Sequence, residues 1–306
     1  MNPLRKVFKE LAKALKKKRG RRLTRKASLK ANRYYWLGIL RLQEDAINLT
    51  SRLTEGLPNI RRLCLNFLAE RVLQGALHAN FLHREYPYSS HADLAGINRG
   101  IIEASVNYLF LLDDPSCERT AAFWSKSGFE ESLRNDGLKK WIDHNDQFIK
   151  YLARCDYSPT LMSFEQMLQG VATYTGVTSP NRKAWPKFKQ RCSAVGAIWE
   201  LVYDMEYKAL STWQHGDLSR VIISPSFARI DPEQEDRNVF ESLIMVQWAF
   251  TLNYIFVREL AIRCKDTARA DTIDQMFWGV LGSASMIVKE HAQRFQPDKH
   301  IRNRTC

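Results

Sequence analysis

Apolar residues recur along this chain at three- and four-residue intervals, over runs long enough to predict helix after helix. In NPLRKVFKELAKALKKK, Leu4, Val7, Phe8, Leu11 and Leu15 share one helical face and Lys and Arg the other. Asn2 can cap this helix and Pro3 suits its first position, so a basic amphipathic helix is expected. Gly20 breaks it, and RRLTRKASLKANR, which has no clear apolar face, reads as a hinge. The body is expected to start near Ser28 and to run to residue 296, with residues 1–27 as a separable arm and 297–306 as a short basic tail.

Within the body, ANRYYWLGILRLQEDAINLTSRL predicts one long helix, and Pro58 opens the next, NIRRLCLNFLAERVLQGALHANFLH. REYPYSSH is a break, and Ser90 with Asp93 resembles a capping box for DLAGINRGIIEASVNYLFLL. Pro115 starts a helical region reaching Cys155, interrupted near Gly128 and Gly137. A long connection with a short helix at SFEQMLQGV follows, then one helix over 186–215. After the irregular DLSRVIISPSFARI, Asp231-Pro232-Glu233 starts a helix reaching Cys264, and a last helix spans Asp271 to Phe295. No segment alternates with period two over a strand's length, and none repeats at solenoid spacing. The expected fold is all-α, a bundle of long helices carrying a basic N-terminal helical arm.

Composition sharpens this picture mainly through charge. The first 34 residues hold 14 Lys and Arg against one acid, and the remainder holds 32 of each sign, so the net +13 belongs to one end. Such a block seeks phosphates or anionic lipid. Lys16, Lys17, Lys18, Arg19, Arg21 and Arg22 are the expected nucleic-acid contacts. The six cysteines lack zinc-knuckle or CxxC spacing, and several sit among apolar residues, which suits a reducing, cytoplasmic setting without disulfides. No apolar leader is visible at the charged N-terminus. The most apolar run, residues 243–257, falls short of the roughly 20 residues that span a bilayer and reads as a core helix.

Candidate chemistry concentrates in two places. In NRGIIEASVNYLFLL, Arg99 and Glu103 are the only charges, one turn apart, on a helix apolar in nearly every direction. Burial would make their pairing almost compulsory. They form either a core ion pair that fixes register or the lining of a site. In the 186–215 helix, Asp204, Lys208, Ser211 and His215 make a polar stripe opposite Ile198, Val202, Met205 and Ala209. Gly216 suits the position after the helix, so His215 either closes a solvated face or does chemistry.

The R-x-x-x-E of Arg99 and Glu103, with the S-x-x-x-H-G of Ser211, His215 and Gly216, resembles a bacterial all-helical family of unknown function placed near the HEPN-like bundles. Many of those bundles are ribonucleases in toxin and anti-phage systems. The resemblance covers roughly residues 35–265 and implies that Arg99, Glu103, Ser211 and His215 meet as a catalytic cluster. The R-x4-6-H signature of HEPN ribonucleases is matched by Arg84 and His91, an alternative catalytic pair, and by no Arg before His215.

A His with an Arg suffices for metal-free RNA cleavage, the first moving the 2′-OH proton and the second stabilising charge on phosphate. His78 and His83, five apart, read as unconnected side chains, partly buried or exposed, and no metal or other cofactor is expected. Phosphate-cradling glycine loops and a nucleophile elbow are absent from the sequence. The eight Trp are spread over the chain and read as core or subunit contacts.

Two readings stay open: an RNA-directed enzyme of the toxin or defence kind, and a non-enzymatic binding protein. The partners expected are RNA before DNA, an anionic membrane surface through the arm, and a second copy of the chain.

Overall fold

The computed structural model describes residues 24–87, 91–114, 116–126, 164–178, 181–210 and 232–294. Helix α1 spans Arg25–Thr54, α2 Asn59–Glu85 and α3 His91–Leu112. A short α4 covers 118–126, and α5 spans Phe164–Thr175. Helix α6 is Phe188–Val195 and α7 is Ala197–Val202, which runs on through a π-helical turn at Tyr203–Tyr207. Two long helices, α8 (Pro232–Arg263) and α9 (Thr267–Arg294), complete an all-α bundle.

Helices α1, α2, α3 and α8 close a ring of contacts, and α9 packs over α1 and α8. The apolar faces read from the sequence supply the core: Ile39 and Leu42 from α1, Leu65 and Val72 from α2, Ile102 and Leu109 from α3, Phe250 and Phe256 from α8. Residues 238–263 of α8 are long and apolar enough to cross a membrane, but 78% of that stretch's most apolar window is buried inside the bundle. It is the central core helix that the run at 243–257 predicted. The α1–α8 crossing is close because position 38 carries no side chain. A Cβ on Gly38 would lie 2.6 Å from Phe250 Cε2.

Buried polar groups tie the helices in register. Asn80 Nδ2 donates to Asn32 Oδ1 at 2.7 Å, and Asn32 Nδ2 returns a bond to the Asn80 carbonyl at 3.3 Å. His83 bridges three helices, with Nε2 2.7 Å from Ser28 Oγ and Nδ1 2.7 Å from Ser242 Oγ. The side chain expected to be partly buried or exposed is fully buried, because α1 and α8 close over it from positions 55 and 159 residues away.

Local structure departs from the sequence reading in three places. Helix α1 begins inside the expected hinge, with Thr24 Oγ1 accepting from Ala27 N at 3.4 Å, and Ser28 is already in the core. The last helix begins at Thr267, four residues early, because Asp266 Oδ1 accepts from Arg269 N at 3.1 Å and caps it. The single helix over 186–215 is broken at Gly196, whose φ of 142° is open to glycine and strained for other residues. The π turn then adds a residue and rotates the face, so Leu210 is buried and Ala209 exposed, the reverse of the straight-helix stripe. The N-terminal arm with Lys16, Lys17, Lys18, Arg19, Arg21 and Arg22 lies outside the described residues. So do Ser90, Ser211, His215, the irregular stretch at 217–230 and the basic tail.

Candidate functional site

Helix α3 is not buried all round. Positions 100, 103, 104 and 107 follow helical spacing along one stripe, and that stripe forms the wall of a cleft of about 660 Å³. The facing walls come from α2 (Phe67, Leu68, Arg71), from α4 (Phe123, Lys126) and from the segment Trp185–Arg191, with Tyr207 of the π turn above Glu103. The chain breaks after α6 at Gly196 and passes through the π turn, from which Tyr207 reaches α3.

Arg99 and Glu103 pair as their spacing required, Nε to Oε1 at 3.0 Å. Their side chains are 22% and 40% exposed, so of the two alternatives the core ion pair is not what forms: the pair is partly exposed, with Glu103 on the cleft wall. Tyr207 joins them. Its hydroxyl donates to the same Glu103 Oε1 at 2.5 Å, and the Arg99 guanidinium lies 5.1 Å from its ring centre. Burial pushes the Tyr207 hydroxyl up to about 12, and the bond to Glu103 and its negative charge act in the same direction. Tyr207 is therefore a donor at neutral pH.

This exposure changes what Glu103→Ala should do. A fully buried pair would lose about 3–5 kcal/mol, because the guanidinium would be stranded. A half-exposed pair with one extra hydrogen bond should lose about 1–2 kcal/mol. Urea unfolding checks this, and a loss beyond about 3 kcal/mol would restore the buried pair.

Arg191 is the more unusual cation. It is 7% exposed and lines the cleft. Its Nε donates to Asn107 Oδ1 at 3.1 Å and its Nη1 to the Pro186 carbonyl at 2.5 Å. The guanidinium lies 4.3 Å from the Trp185 ring centre and 5.2 Å from that of Phe188. Both hydrogen-bond partners are neutral, and no described carboxylate forms an ion pair with it. Burial pulls its pKa down to about 10, against the raising influence of nearby Cys192 and Glu103.

The described lining also holds Arg71, Lys126 and Lys187. Arg71 stands 5.9 Å from the ring centre of Phe67, a side chain on the cleft rim that is 56% exposed. Among the described lining residues four cations thus face one carboxylate, and that carboxylate already accepts from Arg99 and Tyr207. Such a lining attracts anions, and its rings suit a planar group.

Of the sequence-predicted residues, Arg99 and Glu103 come together, and Ser211 and His215 lie outside the described residues. Arg84 is not among the described residues that line the cleft. Arg84 is at the exposed end of α2, its Nε bonded to Glu85 Oε1 at 2.7 Å and its guanidinium 5.1 Å from the Phe81 ring centre. His91 opens the following helix. The described residues hold no cluster of three His, Cys, Asp or Glu fit for a metal.

Sequence reasoning missed Tyr207, Arg191, Asn107 and Arg71. Asn107 had a readable signal, since it continues the four-residue stripe of Arg99 and Glu103. Trp185, read as a core contact, is buried and also lines the cleft. Comparisons with protein families, with curated proteins and with solved structures return no match.

Proposed function

We propose that this chain binds nucleic acid, RNA before DNA, with the cleft accepting a nucleotide and the basic N-terminal segment adding sequence-independent attraction to the backbone. The observation that carries the reading is the described cleft lining: four cations to one already-bonded carboxylate, with an exposed ring at the rim. Cations and aromatic faces together are what single-stranded nucleic acid requires of a surface. The ranking of RNA over DNA rests on the resemblance to HEPN-like bundles.

A ribonuclease reading is second. It is favoured by Arg99, Glu103 and Tyr207, which put a cation, a carboxylate and a hydroxyl donor beside the cleft. Ser211 and His215 would complete its catalytic cluster. Metal-free cleavage of RNA in chelator by wild type, lost in His215→Gln, would select it over binding alone.

Gly100→Leu tests the binding reading. Gly100 lines the cleft, and a Cβ there meets no atom within 4 Å, so the new side chain enters the cleft and not the core. Helix propensity favours the change by about 0.8–1 kcal/mol, so folding is retained. Gly279→Leu, at an exposed α9 position with nothing within 4 Å, is the control. Fluorescence anisotropy with single-stranded RNA at high salt, where the basic segment contributes least, should show about tenfold or greater weakening for Gly100→Leu, the value of one stacked base. The control should match wild type. Equal affinity for all three proteins would place binding elsewhere.

A further inference from the structure

We infer that the cleft is a receptor for a phosphorylated nucleotide end, with Arg191 receiving a phosphomonoester and Phe67 stacking the attached base. This rests on the nucleotide-binding reading of the same cleft and adds which part of the ligand is recognised.

The argument starts from Arg191. A buried guanidinium normally carries a carboxylate with it, because an unmatched charge is costly away from water. Here Nε and Nη1 donate to the neutral oxygens of Asn107 and Pro186. These two bonds and the flanking Trp185 and Phe188 rings fix its orientation. Nη2 makes no hydrogen bond to a described residue. The group is held still and charged beside a cleft, with no carboxylate bonded to it among the described residues, which is the arrangement of a preorganised anion receptor.

The nature of the anion follows from access and charge. A phosphodiester within a strand carries one negative charge and has a sugar on both sides, so both flanks would have to be drawn in to reach a side chain only 7% exposed. A phosphomonoester is free on one side and carries about −1.5 to −2 at neutral pH. It fits a recessed cation better on both counts. Lys187 and Arg71 on the same lining supply further positive charge. The base has a place at the rim, on the exposed Phe67 ring beside the Arg71 guanidinium. A volume of about 660 Å³ lies within the range of sites for small molecules.

A free nucleotide and the end of a strand present this same chemistry, and the experiment separates them. Calorimetry on the full chain compares adenosine with its 5′- and 3′-monophosphates, and one oligoribonucleotide with a 5′-phosphate, a 3′-phosphate or hydroxyl ends. Wild type should prefer a phosphorylated form by about 10- to 100-fold, the worth of a charge-assisted hydrogen-bonded pair. Arg191→Met should abolish that preference, and replacing a buried charge by an apolar chain of similar length is compatible with folding. Phe67→Ala, at an exposed position, should weaken phosphorylated and unphosphorylated ligands alike and leave the preference in place.

Equal binding of phosphorylated and hydroxyl forms by wild type overturns the inference without recourse to any variant, as does an unchanged preference in Arg191→Met. Oligonucleotides bound irrespective of their ends would leave nucleic-acid binding standing and remove the phosphomonoester. Free monophosphates bound with the preference, and no oligonucleotide bound, would do the reverse. Absence of binding by every ligand overturns both.

Discussion

Replacing Phe277 with alanine is expected to lower the unfolding free energy by about 3–5 kcal/mol. Phe277 is fully buried on α9, stacked on Tyr254 at 3.9 Å between ring centres and on Phe250 at 5.4 Å. Those two rings belong to α8, and Phe250 is also the ring that Gly38 admits against α1. Phe277 therefore joins α9 to α8, and Phe250 carries the packing on to α1. The neighbours cannot swing in to fill the hole. Tyr254 is held by its hydroxyl, which donates to Asp274 at 2.7 Å, and Asp274 also accepts from Arg258 at 2.8 Å. The lost contacts and the residual cavity then both count against the fold. Denaturant unfolding should show a lower midpoint at unchanged slope. A loss below about 1 kcal/mol would mean that α9 is packed loosely on the bundle.

Acidification should reveal two groups with opposite effects, buried His83 and partly buried Glu206. Burial drives the His83 imidazole down to about 4. Between about pH 6.5 and 4 the unfolded chain binds a proton that the folded chain refuses, so stability falls as pH falls, by about 3 kcal/mol in all. Glu206 behaves in the contrary sense. Burial raises its carboxyl to about 7. Between about pH 4.5 and 7 the folded chain holds a proton that the unfolded chain has lost, so stability falls as pH rises. The two nearly cancel in the wild type over their shared window. Glu206→Gln should uncover the histidine, losing about 2–2.5 kcal/mol between about pH 7 and pH 4.5. His83→Gln should uncover the glutamate and gain stability on the same acidification. Urea midpoints across this range check the pair of signs. Parallel profiles for the two variants would show that neither shift belongs to the folded state.

The outlines of α1, α2, α3, α8 and α9 could be read from the chain because helical periodicity is a local property and each of these helices buries one long face. The pairing of Arg99 with Glu103 could be read for the same reason, since a four-residue step on a helix brings two side chains together whatever surrounds them. The concentration of positive charge before residue 34 needed only counting. What surrounds those side chains could not be read. The break at Gly196 and the π turn at Tyr203–Tyr207, from which Tyr207 reaches α3, are marked by no apolar pattern. Tyr207 reaches Glu103 across 104 residues, Arg191 reaches Asn107 across 84, and Ser242 covers His83 across 159. Burial, and with it the charge state of a histidine or the availability of a guanidinium, is a property of what packs against a residue from distant sequence. The one-dimensional pattern decided which groups were neighbours within a helix, and only the tertiary packing decided which of them lost water and which kept a cleft.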